Sequence, residues 1–92
     1  MRQKVWVLSV YAYGSDHATI RVFSTKERAI EHVLDGIRED RRNLESHYED
    51  SDYKPELQPL DELLAEVRSS LEENEFFSRC GDAYVLDEED VL

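Results

Sequence analysis

Residues Ile20–Leu34 read IRVFSTKERAIEHVL, and within them a strand gives way to a helix. Ala18–Phe23 (ATIRVF) is rich in β-branched and aromatic side chains and predicts a strand. Arg21 marks that strand as less buried than the one before it. Ser24-Thr25-Lys26-Glu27 then matches the S-x-x-E capping box, in which the Ser and Glu side chains satisfy backbone N–H groups at a helix start. Behind it Ala29, Ile30, Val33, Leu34, Ile37, Leu44 and Tyr48 fall within about 140° of arc at ~100° per residue. That spacing predicts one long helix from Thr25 to Tyr48. Gly36, Asp40 and Arg41 weaken its second half, with Arg41 laying its stem along the apolar stripe.

Upstream, Lys4–Tyr13 (KVWVLSVYAY) alternates with a period of two. Val5, Val7, Ser9, Tyr11 and Tyr13 share one face, and Trp6, Leu8, Val10 and Ala12 share the other. Both faces are largely apolar, as in a central strand. Gly14-Ser15-Asp16-His17 supplies turn chemistry, so this strand and Ala18–Phe23 form a hairpin.

Downstream, Glu49–Pro59 (EDSDYKPELQP) is a polar linker. A second helix follows over Leu60–Asn74. Leu60, Leu63, Leu64, Val67 and Leu71 fall within about 100° of arc, with Asp61, Glu62, Glu66, Glu72 and Glu73 opposite. Gly81-Asp82 reads as the turn of a second hairpin between Glu75–Arg79 and Ala83–Leu86. Asp87-Glu88-Glu89-Asp90-Val91-Leu92 reads as a charged tail. The order β-β-α-α-(β)-β predicts an α+β domain, a three- or four-stranded antiparallel sheet with a helical hairpin packed on one face. The other sheet face is then solvated or covered by a partner, with Trp6, Tyr11 and Tyr13 as the aromatic residues in question.

A chain of 92 residues closes one core, so residues 1–92 are expected to form a single acidic domain. With 40 % apolar and 36 % charged residues, it is neither disordered nor a membrane protein by composition. Its longest apolar run, Val5–Leu8, is far short of the ~20 residues of a spanning helix. Met1-Arg2-Gln3-Lys4 leads straight into the first strand without a signal-like apolar region, which predicts a cytoplasmic protein. Cys80, a single thiol, fits a reducing compartment.

Net charge is −11, and it is lopsided. Residues 1–34 carry five Lys/Arg against three Asp/Glu, whereas residues 35–92 carry six against 19. Such a field repels nucleic acid and anionic lipid and attracts basic surfaces. The expected partner is therefore a basic protein surface, with no direct nucleic-acid contact and no membrane. Solubility or adaptation to high salt is the plainer cause of the same acidity.

Catalytic and metal constellations are sparse. His17, His32 and His47 have no second His at helical spacing, so no metal or cofactor is expected. Asp50-Ser51-Asp52 begins like a calcium loop but lacks its glycine and closing glutamate. Cys80 has acidic neighbours such as Asp82, which raise a thiol's pKa and disfavour a nucleophile. A cluster of His47, Glu49 and Asp50 is the best a catalytic reading offers, and the expectation is no enzyme. Trp6, Tyr11, Tyr13 and Phe23 lack the basic groove that accompanies base stacking.

The acidic helix face is the more specific feature. Carboxylates three or four positions apart stand about 5–6 Å from one another, near the spacing of phosphates along one strand. Glu62, Glu66 and Glu73, with Asp61 and Glu72, therefore resemble a short phosphate track. The tail residues Asp87, Glu88, Glu89 and Asp90 extend the candidate partner-binding set. The plainer reading of the same residues is a solvated helix face.

The residues KVWVLSV, a Gly-containing turn and IRVFSTKERAIEHVL resemble a loose group of small uncharacterised prokaryotic and phage β-β-α proteins. Residues Phe77 to Gly81 and AYVLDEEDVL are similar to the closing strand of that group. The likeness covers both ends, about half the chain, and the charged middle departs from it. It implies a phage or mobile-element setting, where small acidic proteins inhibit host defence complexes, and it carries over no catalytic residue. The reading is thus an acidic protein-binding module, a nucleic-acid-mimicking inhibitor of the anti-CRISPR or anti-restriction kind. The alternative is a structural or assembly protein that homodimerises through its sheet.

Overall fold

The structure is a computed structural model that describes residues 3–12, 14, 17–53, 56–79 and 81–91. Its elements are β1 (Gln3–Tyr11), β2 (Ala18–Phe23), α1 (Lys26–Tyr48), α2 (Leu60–Asn74), β3 (Phe76–Arg79) and β4 (Asp82–Val91). The four strands form one antiparallel sheet in the order β2-β1-β4-β3, an α+β architecture.

Register assigns each strand residue to a face, because side chains alternate along a strand and directly paired residues share a side. Leu8 is fully buried and pairs with Leu86, itself 1 % exposed. Trp6, Val10, Phe23, Phe77 and Tyr84 share that side by register, and all join the core. Against them pack Ala29, Ile30, Val33 and Leu34 of α1 and Leu63, Val67 and Leu71 of α2. Both helices therefore cover one face.

The first half of α1 lies on the sheet and the second half runs past it. Its 23 residues make a rod of about 34 Å at ~1.5 Å per residue, longer than the sheet is wide. All four of its buried residues precede Asp35, and Leu44 remains 36 % exposed. Tyr48, in the last turn, meets Tyr53 of the following linker edge-on at 5.9 Å.

The helix start sits one residue later than the S-x-x-E match indicated. Thr25 is the N-cap, in extended conformation, and its Oγ1 accepts from the Arg28 N–H at 3.1 Å. Glu27 thus falls at the second helical position and turns to Arg68 of α2 instead. The end of α2 is closed by Glu75 in the left-handed conformation (φ 58°), whose N–H donates to the Leu71 carbonyl. Lys26 donates to the carbonyl of Glu72 at 2.8 Å, placing a cation at the negative end of the helix dipole.

Two further expectations at the C-terminal end are corrected. Arg79 pairs with Asp82, so the second hairpin turns between them and Asp82 already belongs to β4. Gly81 takes φ +88°, the left-handed backbone that this tight turn requires. The charged tail is no tail: Asp87–Val91 continue β4 and pair residue by residue with Val7–Gln3 of β1. Gln3–Val5 extend beyond the end of β2, and β4 pairs with this part of β1. The start of β1 recruits these acidic residues despite their poor strand propensity.

Candidate functional site

The face of the sheet opposite the helices is built from the other register set. Its rows run Val22–Val7–Asp87, Ile20–Ser9–Val85–Phe76 and Ala18–Tyr11–Ala83–Ser78, with Val5–Glu89 and Gln3–Val91 beyond. None of these residues belongs to the hydrophobic core. Ile20 is 63 % exposed, Val22 61 %, Tyr11 48 % and Phe76 47 %. This face is apolar in its middle and acidic where β4 outruns β3, at Asp87 and Glu89. Among the described residues it carries no Lys or Arg.

The aromatic residues named from sequence divide between the two faces. Trp6 lies under the helices, with the Lys26 ammonium 5.2 Å from its ring centre. Tyr11 does lie on the bare face, and Tyr13 falls outside the described residues. The sequence reading did not single out Ile20, Val22, Val85 and Phe76 as surface residues. Their signal was available as parity: Ile20 and Val22 are out of step with Phe23, the residue that enters the core.

The carboxylates of the candidate partner-binding set are divided among four places. Glu62, Glu66 and Glu73 share one exposed flank of α2, where Glu66 accepts from the Gln58 amide at 3.1 Å. Asp61 and Glu72 lie on the other flank, together with Arg68. Arg68 reaches Glu27 at 3.0 Å, Glu72 at 3.7 Å and also Glu31, and its hydrogen bonds to Glu31 and then Glu27 raise its pKa further. Glu72 is therefore partly neutralised within a clamp that joins α1 to α2. The β4 residues alternate: Asp87 and Glu89 project from the bare face, Glu88 and Asp90 from the other.

Lys4 donates to Glu88 at 3.0 Å, and this bond, with the charges of Glu88 and Asp90, raises the Lys4 pKa above 10.5. The β4 carboxylates on the bare face thus point away from α2. Sequence patterning could not foresee this division, since it depends on which strand the acidic run joins.

Beneath the overhanging half of α1 lies an open cavity of about 240 Å³. Ile37, Leu44, Leu57, Leu63, Phe77 and Tyr84 line it, along with Asp40, Arg41, Arg79 and Asp82. Its charged groups balance. Arg79 is turned toward the Gln58 amide oxygen at 3.2 Å. Burial, then the charges of Asp82 and Asp40, raises the Tyr84 phenol above its ordinary 10.0. The Cys80 reading lies outside the described residues, and His47 stacks edge-on against Tyr48. Among the described residues no three His, Cys, Asp or Glu side chains are arranged to hold a metal ion. No described helix is long and apolar enough to cross a membrane.

Comparison of the chain with protein-family models, with curated proteins and with solved structures gave no match in any of the three.

Proposed function

We propose that this protein is a binding module rather than an enzyme, and that it docks a basic protein partner on the bare face of its sheet. The observation that carries the reading is the exposure of Ile20, Val22, Tyr11 and Phe76 on one contiguous face. Single exposed apolar residues are ordinary, whereas a contiguous patch rimmed by polar groups marks an interaction site. The net charge of −11 supplies long-range attraction for a basic partner and repels acidic ones.

The test compares immobilised wild-type protein with an Ile20→Ser/Val22→Ser variant in capture from a lysate at low salt. The expected result is a protein retained by the first and lost from the second. Identical capture by both would overturn the reading.

A second reading is favoured by one observation: Glu62 and Glu73 have no ion-pair partner among the described residues. With Glu66 they supply a three-carboxylate track of the kind that would imitate phosphates toward a nucleic-acid-handling complex, as in a phage-encoded inhibitor. Reversing Glu62, Glu66 and Glu73 to Lys would then abolish capture while Ile20→Ser/Val22→Ser spares it. That pattern would choose this reading over the first.

A further inference from the structure

The chemistry of the bare face narrows what covers it. In projection the four strands offer roughly 450 Å², at ~3.3 Å per residue along a strand and ~4.8 Å between strands. A second copy of this chain would have to hold itself on that face against the repulsion of −11 on each side. It would also bring another Asp87 and Glu89 and, on this face, no described cation to meet them.

The face itself points elsewhere. An antiparallel sheet with helices on one side ordinarily turns polar side chains to water on the other, whereas here the second side is apolar at Val7, Ile20, Val22, Val85 and Phe76. From the row of Tyr11 and Ala83 to the row of Val5 and Glu89 is six residue steps along β1 and β4. That is about 20 Å of strand, which a helix of about thirteen residues spans. Apolar side chains occupy most of that path, and carboxylates stand at one end of it.

We propose that the occupant of this face is a single amphipathic helix of a partner protein. Its apolar stripe covers Val7, Ile20, Val22 and Val85, and its Lys or Arg side chains, gathered at one end, meet Asp87 and Glu89. The proposal rests on the sheet face being the docking surface and adds the partner's secondary structure, charge and direction. With Asp87 and Glu89 at one end only, the helix has one preferred polarity along β1.

The probe is a stapled helical peptide of about thirteen residues with a leucine stripe and a pair of lysines at one end. It is titrated into the full chain while methyl resonances are followed by NMR, beside a peptide whose lysines are replaced by glutamates. The lysine peptide is expected to move the methyls of Val7, Ile20, Val22 and Val85 and to leave Leu63 and Val67 in place. The glutamate peptide is expected to bind at least about tenfold more weakly. Asp87→Asn/Glu89→Gln, which keeps the shape of both side chains, is expected to erase that difference.

Equal binding of the two peptides, absence of binding, or methyl shifts confined to α2 would overturn the proposal. So would a dimer of the protein alone that buries Ile20 and Val22. The dimer would leave the sheet face as an interface and remove its assignment to a basic partner. If Ile20→Ser/Val22→Ser left peptide binding intact, both the helix and the docking surface would fall.

Discussion

Leu8 and Ile20 lie on adjacent strands of the same sheet, yet replacing them should have opposite consequences. Leu8 is fully buried at the centre of the core, so Leu8→Ala removes its packing and leaves a cavity, at a cost of about 3 kcal/mol. A domain of this length has a total stability of about 5–14 kcal/mol. That single change therefore consumes a large share of it. Ile20 and Val22 keep 63 % and 61 % of their surface exposed. Full burial of such a side chain is worth about 1.5–3 kcal/mol, so at most about 1 kcal/mol is at stake at each position. Threonine keeps the branched Cβ that suits a strand and some of the remaining contact.

The double variant Ile20→Thr/Val22→Thr should thus lose no more than about 1 kcal/mol. Urea unfolding followed by circular dichroism reads both effects, with a slope of ~1–3 kcal/mol per molar urea. Wild type and both variants are measured at two protein concentrations about tenfold apart. A loss above about 2 kcal/mol in the double variant would refute the reasoning. So would a wild-type midpoint that rises with concentration while the variant's does not, since the face would then be covered by a second copy.

Other substitutions test the local assignments. Thr25→Ala should cost about 1 kcal/mol by removing the N-cap of α1, while Ser24→Ala should be nearly neutral; thermal melts that rank them in reverse would restore the earlier helix start. Arg68→Met keeps the stem and removes the charge shared by Glu27, Glu31 and Glu72, and its loss of about 1 kcal/mol should shrink as salt is added. A loss independent of salt would mean that the stem packs and the charge contributes little.

Alkaline pH tests a third set, because Lys4 and Tyr84 both have folded-state pKa values above 10.5 and 10.0 respectively. Each holds its proton more tightly in the folded than in the unfolded chain. Their contributions are complete below about pH 10 and are lost as pH rises through the folded values. Tyr84→Phe and Lys4→Met should each flatten the fall in urea midpoint above about pH 10, and an unchanged slope in both would contradict the assigned environments.

Element identity was largely written into local sequence. The leucine stripe of α2, the alternation in β1 and the switch from strand to helix after Phe23 are short-range patterns that act through backbone geometry. They give the α+β class and both helices without reference to anything distant. Where short-range cues competed, they missed by little: Ser24 and Thr25 are both competent caps, and Thr25 takes the role in the fold in which Ala29 and Ile30 are buried.

The surface was decided by tertiary structure. Pairing of β4 between β1 and β3 turned Asp87–Asp90 from a charge run into a strand and sent its carboxylates to opposite faces. Arg68 stands one turn before Glu72 on the same helix, and contact between α1 and α2 then made it share its charge with Glu27 and Glu31, more than 35 positions away in sequence. Composition and periodicity supplied the acidity and the amphipathic elements, since both are properties of residues and near neighbours. Parity within a strand marks which residues share a side, as Ile20 and Val22 do against Phe23. Which strands pair, and so which carboxylates stand beside the bare face, is set by hydrogen bonds and burial between segments far apart in the chain.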